Sequence, residues 1–196
     1  SSRMSQVFWA EPLLFPQAAW WQAWQQANRP ALAAQAPFPK RGWYHRFCMP
    51  GPEGWQCFSL PLKNKRQGTP YNALFVDWSQ PRCNDFLMAV RSNYGKSPYF
   101  EWFFEELESL WSLKTERLLD LNQSLLRWTA GRMGFPQPVW DHSPLNQDDR
   151  LSIKAFNTKL EPYPQPFQHK LGFMPQACAL DLVFNLGPDA AAHLHL

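Results

Sequence analysis

Proline punctuates this chain nineteen times, against nine glycines. Each proline fixes φ and removes a backbone donor, so it stiffens a connection and closes the helix or strand before it. The fold must therefore be built from regular elements joined by rigid, extended connections rather than flexible linkers.

Between those stops the elements can be read in order. "SQVFWAEPLLFP" opens with an apolar run that suits a strand, closed by Pro12. "FPQAAWWQAWQQANRP" carries Phe15, Ala19, Trp20 and Trp24 at helical spacing and stops before Pro30. Two strand-like runs, 43–48 and 55–62, flank "PGPEG" and predict a hairpin, and "PYNALFVDW" predicts a strand over 71–78. Residues 82–93 alternate weakly. "SPYFEWFFEELESLW" then sets Phe100, Phe103, Phe104, Leu107, Leu110 and Trp111 on one face, with Ser97 as N-cap and Pro98 first in the helix. A second long helix runs from Thr115 to Met133, with Leu118, Leu121, Leu125 and Trp128 inward and Gly134 as its cap. The stretch after "FPQPVWDHSPLNQDD" reads as loop until a terminal helix. Strands early and helices late predict one α+β domain over residues 4–196, with a small mixed or antiparallel sheet against a helical C-terminal half. It is strand-rich over 4–80, helix-rich over 82–134, and loop plus terminal helix over 135–188. Ser1–Arg3 read as a vector-derived remnant ahead of Met4.

With 45% hydrophobic residues, eleven Trp and fifteen Phe in 196 residues, a sizeable core is available and disorder is excluded for most of the length. A net charge of +3 is too small to argue nucleic acid, but it permits a local anion site. Lys40, Arg41, Arg46, Lys63, Lys65 and Arg66 concentrate the positive charge. Four scattered cysteines with no CxxC pair predict reduced thiols and a cytoplasmic location. No apolar run reaches the roughly 20 residues that span a bilayer.

Along the terminal helix Cys178, Asp181 and Asn185 form a polar stripe beside Ala177, Leu180 and Phe184. One reading makes Cys178 a nucleophile near a helix start, His169 its base and Asp181 their partner. The other makes Cys178 a small buried thiol and the stripe an internal bridge to "YPQ", with Asp181 accepting hydrogen bonds there. The like charge of Asp181 and the apolar neighbours weigh toward the second.

"FPKRGWYHRFCMPGPEGWQCFSLPL", "NYGKSPYFEWF", "LLDLNQSLLRWTAGRMGF" and "YPQPFQHKLGFMPQACALDLVFNLGP" resemble, in order, segments of the WbqC-like protein family. Its pattern has an N-terminal "QPxYFP", echoed by "AEPLLFP", then "KRGWQNRN", "YKxPYF", "LxxLN" and a closing "YPQ…LSxxDLLFNxG". The resemblance implies a setting in bacterial surface-polysaccharide and O-antigen biosynthesis. The activity it implies is transfer of an acyl or aminoacyl group to an amino sugar or its nucleotide-linked form. The chain departs from the pattern at Glu11, at Tyr44, His45 and Phe47, where both amides of "WQNRN" are lost, and at Cys178, where Ser is usual. A helix–strand unit between "DDRL" and "YPQ" is mostly missing.

Arginine forks recognise phosphate or carboxylate bidentately, so Lys40, Arg41, Trp43, Arg46 and Gln165 are the candidate substrate and anion-binding residues. A sugar nucleotide or the phosphopantetheine of an acyl carrier suits them; a solvated basic face with Arg packed on Trp is the alternative. Strand alternation would aim Arg46 opposite to Trp43 and His45. His45, Cys48 and Cys57 lack paired metal-ligand spacing, and no GxGxxG or GxxxxGK[ST] occurs, so no metal and no cofactor is expected. "WWQAW" suits core packing, with a sugar platform or an interfacial face as alternatives. Two function classes follow, a transferase and a non-catalytic binding module that kept the fold, and convergence of Lys40, Arg46, Gln165 and Cys178 on one cleft separates them. The oligomeric state is not readable.

Overall fold

The computed structural model describes residues 6–34, 42–63, 66, 68–143 and 145–195. Among them lie two small sheets and seven α-helices. The expected α+β class holds: the sheets come mainly from the N-terminal third and the long helices follow.

The first sheet is parallel, in the order β2-β1-β5. β1 (Val7–Ala10) is central and buried, as its apolar run requires. β2 (Pro30–Leu32) and β5 (Arg150–Leu151) flank it, with Trp9 opposite Ala31 and Phe8 opposite Leu151. Pro30 is tolerated because β2 is an edge strand. The second sheet is the expected hairpin: β3 (Arg46–Gly51) and β4 (Gly54–Ser59) pair about Pro52 and Glu53. Gly54, at φ 121°, supplies the left-handed turn conformation that other residues rarely adopt. The strand expected over 71–78 is instead a 3-10 turn at Tyr71–Ala73 followed by single bridges from Phe75 to Arg117 and from Val76 to Leu62. Tyr71 is fully buried and donates its hydroxyl to Pro12 O at 2.9 Å.

α1 (Ala18–Gln26) buries Trp20, Trp21 and Trp24, so "WWQAW" is core. Trp21 stacks on Phe135, and the Trp20 and Trp21 indole N–H groups donate to Glu11 O and Pro16 O, both at 3.0 Å. α2 (Asp85–Tyr94) is followed by α3 (Phe100–Ser112) and α4 (Leu118–Met133). α3 starts later than expected: Ser97 O accepts from Phe100 N–H in a tight turn, and Tyr99 N–H is drawn to Phe184 O. Gly134 ends α4 at φ 83° as expected. α3 and α4 meet through Glu106, which accepts from Trp128 Nε1 at 3.1 Å and pairs with Arg132 at 2.9 Å, while Arg132 also covers Phe103. α5 (Gln168–Leu171), α6 (Ala179–Asn185) and α7 (Ala190–Leu194) complete the chain. α6 is fully buried over Ala179–Phe184 and packs on α3 and α4. Among the described residues no helix is long and apolar enough to cross a membrane.

Candidate functional site

A cavity of about 700 Å³ opens between the end of β1, the start of α1, the β3–β4 hairpin and the turn at 152–154. The hairpin supplies one wall: Arg46 and Cys48 of β3 and Trp55 and Cys57 of β4 line the cavity, Phe47 is buried but also reaches the lining, and Met49 lies in the core. Phe8, Phe15 and Trp20 complete the apolar floor.

Trp43 and Trp55 remain 51% and 44% exposed. Trp43 and Arg46 both line the cavity, contrary to the alternation expected from the sequence. The reason is local: residues 44 and 45 form a turn closed by Arg46 N–H to Trp43 O at 3.0 Å, and the strand begins only at Arg46. Arg46 Nε is buried and makes no hydrogen bond among the described residues. Lys154 adds a second positive charge to the lining, and Arg150 lies 4.0 Å over the Trp9 ring at the same wall. Among the described residues the one carboxylate in the lining is Glu11, which is solvent-exposed yet desolvated enough for its pKa to be raised. Its charge, behind the larger effect of burial, helps push Tyr44 up to about 12.

The main chain that carries Glu11 is fixed before it by Ala33 N–H on Ala10 O at 2.8 Å and after it by side-chain donors. Trp20 donates to Glu11 O, and the next carbonyl, Pro12 O, accepts from Tyr71 and from Asn122 Nδ2 at 2.7 Å. Asn122 is fully buried and also donates to Tyr44 O at 3.2 Å, so it ties the Glu11 segment to the turn that presents Trp43. This is the physical content of the "LxxLN" element in α4.

Cys178 also borders the cavity, 3% exposed, and its N–H donates to Cys48 O at 2.9 Å. Burial raises its thiol to about 12. His169 sits on the exposed α5, forms no hydrogen bond with Cys178 and does not line the cavity. Gln165 is spent internally: it donates to Met174 O at 3.0 Å and Asp181 Oδ2 at 2.8 Å, and accepts from Met174 N–H at 2.9 Å. Asp181 is 0% exposed and accepts from Tyr94 at 2.7 Å, Tyr163 at 2.6 Å and Gln165. Burial raises its pKa against the opposing pull of those hydrogen bonds. The stripe on α6 is thus a clamp between α2, α6 and the "YPQ" segment, and Asn185 Nδ2 returns to Asp181 O at 2.9 Å.

Of the residues singled out from the sequence, Trp43, Arg46 and Cys178 come together at one cavity, whereas Gln165, His169 and Asp181 do not line it. Lys40 and Arg41 lie outside the described residues. The expectation of four reduced thiols is corrected: Cys48 and Cys57 form a disulfide across the hairpin, and Cys83 and Cys178 are the free thiols. Strand register sets Cys48 directly opposite Cys57. Among the described residues no group of His, Cys, Asp or Glu could hold a metal ion. Glu11, Trp55 and Lys154 were not picked out by sequence reasoning as site residues. Glu11 alone left a trace, as a carboxylate where the family pattern has an amide.

Fold and site together describe an α+β protein with an aromatic cavity whose described lining carries Arg46, Lys154 and one carboxylate. The model of the WbqC-like protein family matches residues 11–154, and the chain belongs to that family. The matched segment holds every residue of the cavity named above except Phe8, Trp9 and Cys178, and it ends before "YPQ…NLGP". Comparison with curated proteins and with solved structures gives no significant match.

Proposed function

We propose that the cavity binds a nucleotide-linked amino sugar and that the protein transfers an acyl or aminoacyl group onto its amine, in the assembly of a bacterial surface polysaccharide. The observation that carries this reading is Arg46, whose buried Nε has no hydrogen-bond partner among the described residues, in a lining shared with two exposed tryptophans. A buried guanidinium N–H without an acceptor costs free energy that a ligand phosphate returns. Arg46 and Lys154 take the diphosphate, and Trp43 and Trp55 offer ring faces to a sugar or a base. In the transfer, the amine nitrogen bonds to the donor carbonyl carbon, the bond from that carbon to sulfur or oxygen breaks, and the amine proton ends on the departing thiol or hydroxyl. Direct attack suits this site better than a cysteine-linked intermediate, because the Cys178 thiol stays protonated.

The test is a mixed incubation of a nucleotide-linked amino sugar, an acyl or aminoacyl thioester and the protein, read by mass spectrometry. An amide-bearing sugar nucleotide whose formation is lost in Arg46→Ala supports the transferase. Binding of the sugar nucleotide with no product for any donor leaves the binding module. No binding of any sugar nucleotide, acyl carrier or pyrophosphate at low salt contradicts both.

A further inference from the structure

We infer that Glu11 holds the ammonium group of the ligand, making the cavity selective for a molecule that carries a primary amine at one end and a phosphate at the other. This deepens the reading above and rests on it.

Four observations lead here. Glu11 contributes the one carboxylate of the described lining, while Arg46 and Lys154 supply cations on other elements, so the wall is dipolar rather than uniformly basic. The Glu11 carboxylate makes no ion pair and no hydrogen bond among the described residues. Its backbone is held before it by Ala33 N–H on Ala10 O and after it by Trp20 on Glu11 O and Tyr71 and Asn122 on Pro12 O, so the side chain springs from a fixed main-chain position. Finally, tryptophans 9, 20, 43 and 55 line the same cavity, and indole rings attract cations. Glu11 is solvent-exposed on the cavity lining, so a cationic ligand reaches it without displacing a partner, and a ligand that covers the carboxylate strengthens their attraction by lowering the local dielectric. Partial desolvation among the lining side chains raises its pKa. The charged and titratable groups around it are Tyr44, Arg46, Lys154 and Arg150 on Trp9.

The ammonium has two chemical sources, an amino sugar or an aminoacyl group, and the experiment separates them. Calorimetric titrations compare UDP-glucosamine with UDP-N-acetylglucosamine, and alanyl-phosphopantetheine with its N-acetylalanyl counterpart, on the wild type and on Glu11→Gln. Glutamine keeps the side-chain shape and leaves Glu11 O available to Trp20. In at least one pair the free amine is expected to bind about tenfold tighter than the acetylated form, about 1.4 kcal/mol. That preference disappears in Glu11→Gln, while binding of the acetylated form is retained. The pair that shows it names the source.

Equal binding of the amine and acetylated forms by the wild type, or a preference that survives Glu11→Gln, overturns the role of Glu11 and leaves the phosphate-binding cavity standing. A Glu11-dependent preference in the pantetheine pair alone, with no sugar nucleotide bound, keeps the role of Glu11 and refutes the sugar-nucleotide reading. No binding by any of the four probes refutes both.

Discussion

Replacing Asp181 with alanine removes the acceptor on which three buried side chains converge. Gln165 keeps a second acceptor in Met174 O, so the donors left without an alternative are the hydroxyls of Tyr94 and Tyr163. Each stranded buried donor costs about 1–3 kcal/mol, which sets a range of about 2–6 kcal/mol. Removing a carboxylate that burial already penalises offsets part of this, so the expected loss is about 3 kcal/mol. Asp181→Asn retains one acceptor oxygen and should lose about 1–2 kcal/mol. Urea unfolding followed by tryptophan fluorescence measures both, as a shift in midpoint at unchanged slope. The pH dependence has a definite sign. The folded pKa of Asp181 lies above its unfolded value, so the folded state binds the proton more tightly. Wild-type stability relative to Asp181→Asn should therefore rise as pH falls through the raised folded pKa and level off below the ordinary value of 3.8. An alanine variant within about 0.5 kcal/mol of wild type, the range of an ordinary surface substitution, would refute the reasoning.

The remaining predictions rest on single features. Cys178, with a thiol pushed up to about 12, should resist iodoacetamide near neutral pH until the protein unfolds, and Cys178→Ser should stay folded; rapid alkylation in the folded state, blocked by a ligand, would show a reactive nucleophile instead. Opening the Cys48–Cys57 disulfide by paired serine substitution should cost about 2–3 kcal/mol in thermal or urea unfolding, as expected for a loop with a sequence separation of 9. Asp141 is held at about 2 mainly by hydrogen bonds from Ser143, with Arg29 paired to it as well. Its contribution should be present above 3.8 and fade as pH falls toward 2, so Asp141→Asn should flatten the acid limb of the stability curve over that window.

The long helices were legible because thirteen and sixteen residues repeat an apolar face often enough to outweigh any neighbour. β2 and β5, of three and two residues, carry no pattern of their own; each exists because β1 offers unpaired backbone groups, and that is a non-local fact. Tyr71 has strong β-propensity, yet its hydroxyl is drawn to Pro12 O and the chain turns. Within the site, Trp43 and Arg46 could be named from the basic, aromatic segment, but their place in one lining depended on the turn before the strand. The disulfide was within reach: counting outward equally from Pro52 and Glu53 sets Cys48 opposite Cys57, provided the turn is fixed at those two residues. Glu11 and Lys154 lie 143 positions apart by number, and only the sheet that joins β1 to β5 brings their neighbourhoods to one cavity.

The central claim is that the Arg46 cavity is a phosphate-bearing ligand's site. The most direct measurement is a calorimetric titration of wild type and Arg46→Ala with UDP-glucosamine at two salt concentrations. The account predicts binding by the wild type that weakens with salt, and a loss of about 2–5 kcal/mol in the variant if the desolvated charge pair forms. Affinity that neither added salt nor Arg46→Ala changes would contradict it.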